Sequence, residues 1–312
     1  MPPPSPPDDV RRLLDERSEA RAASDWARAD ALRDRIAALG WEVQDAAGRS
    51  TLRPLLPDAP AATGYADPAQ LASVLDEPAT VAASLQVVAD DHGDDLRRTL
   101  AALAAHPPAV GWELVVVANA PTFELDEAIA EDLFVAPIVL RTDRRLGWAD
   151  ARTLGLRRSH GEVTIMLDTS VEPTGDFVTP LLAAFDDPTV GVAGPWGVTS
   201  GDARHFEEAA PGDVDAIEAY CLAVRREALR LVGGFDPRFR FYRNADLDFS
   251  FAVRDRGWRA VRTQPLPLER HEHRGWTALP DAERDRLSKR NFYRFLEHWG
   301  DRPDLLVKPG DE

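Results

Sequence analysis

Apolar positions change their spacing twice along the chain. From Asp8 to about Ala23 and from Trp26 to Leu39 the pattern is that of amphipathic helices. In the second segment Ala29, Leu32, Ile36 and Leu39 recur at steps of three and four. Ser24 or Asp25 can cap its start, and Gly40 supplies a left-handed stop. Trp41 to Asp45 and Ser50 to Arg53 flank the turn-like run Ala46-Ala47-Gly48-Arg49, so a small β-hairpin is expected after the helical hairpin. Residues 54–80 hold five prolines and little periodicity, which predicts a linker. Beyond it, short β-rich runs (Val81 to Val88, Glu113 to Val117, Ile138 to Arg141, Val163 to Leu167, Val190 to Ala193) alternate with helical stretches. Those helices are expected over Asp94 to Ala105, Leu125 to Leu133, Trp148 to His160 and Phe177 to Phe185. Such alternation predicts an α/β domain with a mainly parallel sheet covered by helices on both faces, and ligands at the carboxyl ends of its strands.

Composition narrows the function. The chain has 312 residues, 44% of them hydrophobic, enough for one large core and an appendage. The charge balance is 37 − 53 = −16, which repels phosphate backbones and anionic lipid from most of the surface and makes nucleic acid an unexpected partner. Cys221 stands alone, so no internal disulfide or thiolate metal cluster can form, and a small core residue is the expected role. Residues 2–7 are nearly all proline and predict a polyproline-like arm. No run approaches the roughly 18 apolar residues of a membrane span, so a cytoplasmic protein without an integral membrane segment is expected.

Three groups carry candidate chemistry. Asp168-Thr169-Ser170 leaves the strand Val163 to Leu167, where a carboxylate can hold a divalent cation or simply cap a helix. Gly233-Gly234-Phe235-Asp236 precedes Asn244-Ala245-Asp246-Leu247-Asp248, which opens a helix. Carboxylates there are stabilised by the helix dipole, and capping is the expected role of Asp248. His271-Glu272-His273-Arg274 precedes a last helix from about Ala282 to Trp299. Between Val253 and Gly300 there are 11 Lys+Arg against 7 Asp+Glu, a basic region that suits a diphosphate or, on charge alone, equally a solvated basic face.

In order and spacing, residues 81 to 300 resemble the family 2 glycosyltransferases of GT-A fold. The segment Leu146 to Leu156, the strand ending at Asp168, the GGFD turn, the acidic group at Asp246 and the late histidines each fall where that family has a motif. The resemblance implies inverting transfer of a sugar from a nucleotide-sugar donor to an acceptor it does not identify, assisted by Mg²⁺ or Mn²⁺. Asp168 would hold the metal that bridges the donor diphosphate, and Asp246 would be the catalytic base. His271 or His273 would add a metal or diphosphate ligand, and Arg274 a phosphate clamp. Three positions depart from the family pattern. Ala118-Asn119 replaces the acidic pair that contacts the base, leaving Asn119 as the donor-binding candidate there, Ser170 replaces the last Asp of DxD, and Ala245 replaces the Glu before the base. A binding module that has lost turnover is the alternative these departures raise.

Residues 8 to 53 resemble the small C-terminal helical module of bacterial cysteinyl-tRNA synthetases, through Leu13 to Arg21, Asp25 to Asp34 and Gly40-Trp41-Glu42-Val43. That resemblance implies an RNA-binding reading. The segment Asp8 to Arg49 has 8 Arg and 10 Asp+Glu, which favours a packing or docking module instead. The expected organisation is therefore arm and module at 1–53, linker at 54–80, GT-A domain at 81–300 and tail at 301–312.

Overall fold

The computed structural model describes residues 8–23, 25–38, 41–46, 49–54, 64–129, 133 and 135–307. The chain divides into two compact units, 2–62 and 63–312. The expected proline arm, Ser24, Gly40 and the hairpin apex at Ala47-Gly48 lie outside the described residues.

The small unit holds α1 (Asp8–Ala22), α2 (Trp26–Ala38), β1 (Trp41–Ala46) and β2 (Arg49–Pro54). Val10, Leu13, Leu32, Ile36, Trp41 and Val43 are buried together, so the helical stripe read from the sequence faces the hairpin. Asp25 accepts the Arg28 N–H at 3.1 Å and caps α2. β1 and β2 pair antiparallel from Trp41 opposite Pro54 to Ala46 opposite Arg49.

In the large unit β3 (Val81–Ala89), α3 (Gly93–Ala105), β4 (Trp112–Ala118), α4 (Leu125–Ala128), β5 (Ile138–Arg141), α5 (Trp148–Leu156) and β6 (Gly161–Leu167) form successive strand–helix units. Next come β7 (Val171–Pro173), α6 (Val178–Leu182), β8 (Val190–Gly194), β9 (Gly197–Ser200), β10 (Phe206–Glu208), β11 (Gly212–Val214), β12 (Ala216–Ile217) and β13 (Cys221–Arg225). The chain continues through α7 (Arg226–Val232), α8 (Ala245–Asp255), β14 (Arg259–Arg262), β15 (Leu268–Arg270), α9 (Arg274–Thr277) and α10 (Asp281–Trp299). Eight strands share one sheet in the order β11-β14-β8-β13-β6-β3-β4-β5. Pairing is parallel except at β13, which runs antiparallel between β6 and β8, and at β11.

Alternation along the strands splits the core in two. Leu114, Val116 and Ala118 of β4 pack with Ile165 and Leu167 on one face, while Val115 and Val117 pack with Leu154 of α5 on the other. Each such fully buried Leu, Ile or Val stabilises the fold by roughly 1.5–3 kcal/mol. Near the start of β6 the expected helix from Trp148 to His160 stops at Leu156 because His160 enters a buried polar network. Glu113 accepts the His160 N–H at 2.6 Å and the Ser84 hydroxyl at 2.6 Å, and faces the His160 ring at 3.1 Å.

Two expected boundaries shift. Residues 64–80, placed by composition in the linker, belong to the large unit. Leu71 and Leu75 are buried there, the Tyr65 N–H donates to Arg141 at 2.8 Å, and the Arg226 guanidinium holds the carbonyls of Val74 and Glu77. Residues 301–307, expected as tail, pack through buried Leu305, and the Val307 N–H donates to Asp215 at 2.6 Å. Composition registers proline and polarity but not the backbone bonds that pin such a strap.

Candidate active site

Asp168 stands at the carboxyl end of β6. Its Oδ1 accepts the Ser170 N–H at 2.9 Å and the Ser170 hydroxyl at 2.6 Å, a turn that fixes the carboxylate. Its Oδ2 is left facing His273 Nε2 and Arg152, each at 3.7 Å. Arg152 is buried, which pushes its pKa down, and its guanidinium sits 5.6 Å from the Trp148 ring centre. The antiparallel pair β7 and β15 returns the chain so that the His271 N–H bonds the Ser170 carbonyl at 2.7 Å, and His273 is carried over Asp168. The His273 ring stacks on Tyr242 with centroids 4.4 Å apart.

Two clefts meet here. One, about 350 Å³, is walled by Asp90, Asp91, Asn119, Arg145, Arg240 and Arg274. The other, about 430 Å³, is walled by Phe206, Glu218, Tyr220, Arg243, Asp246, Arg270 and Phe292. Trp148, Asp168, Tyr242 and His273 line both. A larger hollow of about 660 Å³ opens where β3 and β6 begin, at the opposite end of the sheet, and its described lining has no histidine.

Asp246 lies in the first turn of α8, after Asn244 in a left-handed conformation (φ 63°) that Asn tolerates. The 241–244 segment is tied to α10 by buried Asn291, whose amide donates to the carbonyls of Phe241 at 2.7 Å and Arg243 at 2.9 Å. Asp246 Oδ2 accepts the Ala219 N–H at 3.1 Å and Oδ1 accepts the Leu247 N–H at 3.0 Å. Burial raises its pKa despite those bonds and nearby Arg243. Glu218, in the same cleft, is raised by burial and by Asp246.

The sequence candidates separate. Asp168 and His273 come together, and Asp246 stands in the second cleft. His271 does not join them: its Nε2 pairs with Glu172 at 2.7 Å, and it lines neither cleft. Arg274 lines the first cleft but is held by Asp95 at 2.6 Å. Asn119 is 2% exposed, and its amide braces the loop at Leu146. Asp248 is no cap. It is buried and accepts from Trp299 Nε1 at 2.9 Å and pairs with His298 at 2.8 Å. Glu218, Tyr220 and Tyr242 were not candidates in the sequence. Glu218 and Tyr220 reach the cleft because antiparallel β13 starts where β6 ends, so that the Asp168 N–H donates to Tyr220.

Asp168 Oδ2 and His273 Nε2 face one space with a hard oxygen and an imidazole nitrogen, a donor pair that fits Mn²⁺ and, less readily, Mg²⁺. A second group, Asp236, Asp248 and His298, brings ligand atoms within 4.8 Å of one another, but the Arg238 guanidinium already lies against Asp236 and His298.

A mainly parallel sheet with an Asp at the end of a central strand and clefts over the strand ends is the GT-A architecture. Its likeness to GalNAc-T7, solved with UDP, GalNAc and Mn²⁺, has a TM-score of 0.57 at 19% identity, over 72% of this chain and 50% of that one. For the Pyrobaculum calidifontis mannosyltransferase PcManGT, in complex with GDP-Man and Mn²⁺, the TM-score is 0.51 at 20% identity, over 67% and 61%. The chain belongs to glycosyl transferase family 2, whose sequence model matches residues 87–264. It is 29% identical over 173 residues to the pre-mycofactocin glycosyltransferase of Mycobacterium tuberculosis, covering 50% of this chain and 35% of that protein. The chain thus spans about a third of that curated relative's length. Residues 4–53 match the cysteinyl-tRNA ligase anticodon binding domain. Over 36 residues the chain is 64% identical to the cysteine–tRNA ligase of Beutenbergia cavernae, covering 12% of this chain and 8% of that one. No helix among the described residues is long and apolar enough to cross a membrane.

Proposed function

We propose that the large unit transfers a sugar with inversion from a nucleotide-sugar donor to an acceptor hydroxyl. The observation that carries this reading is the meeting of two clefts at Asp168 and His273, with Asp246 in one of them alone. The first cleft takes the donor and the second the acceptor. Asp168 and His273 would hold Mn²⁺ or Mg²⁺, which when bound neutralises the leaving diphosphate. Buried Arg152 adds fixed positive charge beside Asp168, and Trp148 and Tyr242 offer flat faces where the sugar passes between the clefts. Asp246 accepts the hydroxyl proton while the hydroxyl oxygen bonds the anomeric carbon. The bond from that carbon to the diphosphate breaks, and the electron pair leaves with the diphosphate.

Product stereochemistry tests this. Incubation of the full chain with UDP- and GDP-sugars of known anomeric configuration should release the nucleoside diphosphate and give a product of opposite configuration. Retention, or donor binding without any release, would overturn inverting transfer.

The likeness of residues 4–53 to a tRNA-ligase domain supports a second reading, in which the small unit docks on RNA. Filter binding of tRNA to the full chain and to residues 63–312 separates them. Salt-dependent binding lost on truncation supports it, and equal weak binding refutes it.

A further inference from the structure

Nε2 of His273 faces Asp168, but the other ring nitrogen does not orient the ring. Nδ1 is buried and has no hydrogen-bond partner among the described residues. A metal-binding imidazole is usually aimed by a hydrogen bond from that second nitrogen. Here the ring rests on Tyr242, and its direction depends on how the chain on either side is held. On one side the His271 N–H bonds the Ser170 carbonyl at 2.7 Å. On the other stands Arg274, whose guanidinium donates to Asp95 Oδ1 at 2.6 Å. Asp95 is buried in the first turn of α3, and the same oxygen pairs with Arg98 Nη1 at 2.9 Å. Arg98 Nη2 donates to the Thr169 carbonyl at 3.1 Å, which the Thr99 hydroxyl also meets at 3.0 Å. One carboxylate oxygen therefore joins two arginines. Arg274 follows His273 in the chain, and Arg98 grips the residue that follows Asp168. Two charge-assisted bonds converging on a buried oxygen make a stiff link between the two segments.

We propose that Asp95 is a positioning residue for the metal, setting His273 against Asp168 through Arg274 and Arg98. The inference rests on the reading of Asp168 and His273 as the metal pair. Asp95 contributes no ligand of its own and acts through the two guanidiniums. Arg274, committed to Asp95, serves the metal site rather than clamping the diphosphate. The hydrogen bond missing at His273 Nδ1 is thus replaced by a brace on the backbone that carries the ring.

Electron paramagnetic resonance of Mn²⁺ titrated into the full chain, alone and with UDP or GDP added, tests the assignment. The site is the Mn²⁺ that the parent chain binds and Asp168→Asn does not. Asp95→Asn should weaken that binding roughly 10–100-fold. Arg274→Gln cuts the same link at a partly exposed side chain, so it tests the proposal even if Asp95→Asn does not fold, and it should weaken binding in the same range. The double variant should bind no more weakly than the weaker single one, because both changes remove one link. Parental Mn²⁺ affinity in either folded single variant overturns the proposal. Losses that add in the double variant also overturn it, by making Asp95 a ligand in its own right. A parent chain that binds no more Mn²⁺ than Asp168→Asn defeats the metal reading itself, and the proposal with it.

Discussion

Replacing Asp246 with Asn separates the chemistry of the proposed base from its place in the fold. The carboxylate accepts two backbone N–H groups, from Ala219 at 3.1 Å and Leu247 at 3.0 Å. Asn can accept only one of them and turns an NH₂ toward the other, at a cost of about 1–3 kcal/mol. In a unit of this size that lowers the melting temperature by about 2–10 °C. General-base assistance is worth roughly 10²–10⁴ in rate, or about 3–5 kcal/mol of barrier, so at a temperature where both proteins are folded the rate falls far more than stability. The assay is release of nucleoside diphosphate from a nucleotide-sugar, with water as acceptor, beside a binding titration of the donor. Because burial raises the Asp246 pKa and the base works ionised, parental release should fall with falling pH through a midpoint above the ordinary Asp range. Asp246→Asn should bind donor normally, release at least a hundredfold more slowly and lose that acid limb. Release within about threefold of the parent by a folded variant would refute the base assignment.

Three further outcomes follow from the geometry. In Gly161→Ala the new Cβ would lie 2.4 Å from the Ser84 nitrogen and 2.8 Å from the Ala83 carbonyl carbon. Backbone cannot yield cheaply there, so denaturant titration should show a loss of about 1–3 kcal/mol, and parental stability would contradict the packing. Burial alone would raise the Glu113 pKa, but its bonds to His160 and Ser84 leave it lowered. Its stabilisation is therefore present above its unfolded pKa and lost as pH falls through the lower folded one. Glu113→Gln should cost roughly 3 kcal/mol at pH 7 and progressively less in acid; a pH-independent loss would contradict this. Asn291→Ala frees the 241–244 segment from α10. It should slow diphosphate release more than it weakens nucleotide binding, and an equal loss of both would refute its positioning role.

The parallel strands β3, β4, β6 and β8 were legible because burial on both faces makes them largely continuous apolar runs, as Leu114 to Val117 are. Asp168 was legible because it ends such a run. Glu218 and Tyr220 were not, since they enter the site only through the antiparallel insertion of β13, a pairing of Cys221 with Leu167 that no local pattern encodes. The choice between His271 and His273 was likewise hidden. The two residues stand two apart, a spacing that on an extended strand would set both rings on one face, whereas past the end of β15 one ring meets Glu172 and the other Asp168. Asn119 looked like a ligand because of its place at a strand tip, whereas its amide is consumed by Asp90 and Leu146.

The central claim is that Asp168 anchors a metal-assisted nucleoside diphosphate site, and calorimetric titration of UDP and GDP with Mn²⁺ and with EDTA tests it most directly. Asp168→Asn retains the Oδ1 bonds to Ser170 and changes only the oxygen that faces His273. The account predicts Mn²⁺-dependent binding of at least one of the two nucleotides by the parent chain, and a loss of that dependence in the folded variant. Equal Mn²⁺-dependent affinity in parent and variant, or no binding of either nucleotide by the parent, would contradict it.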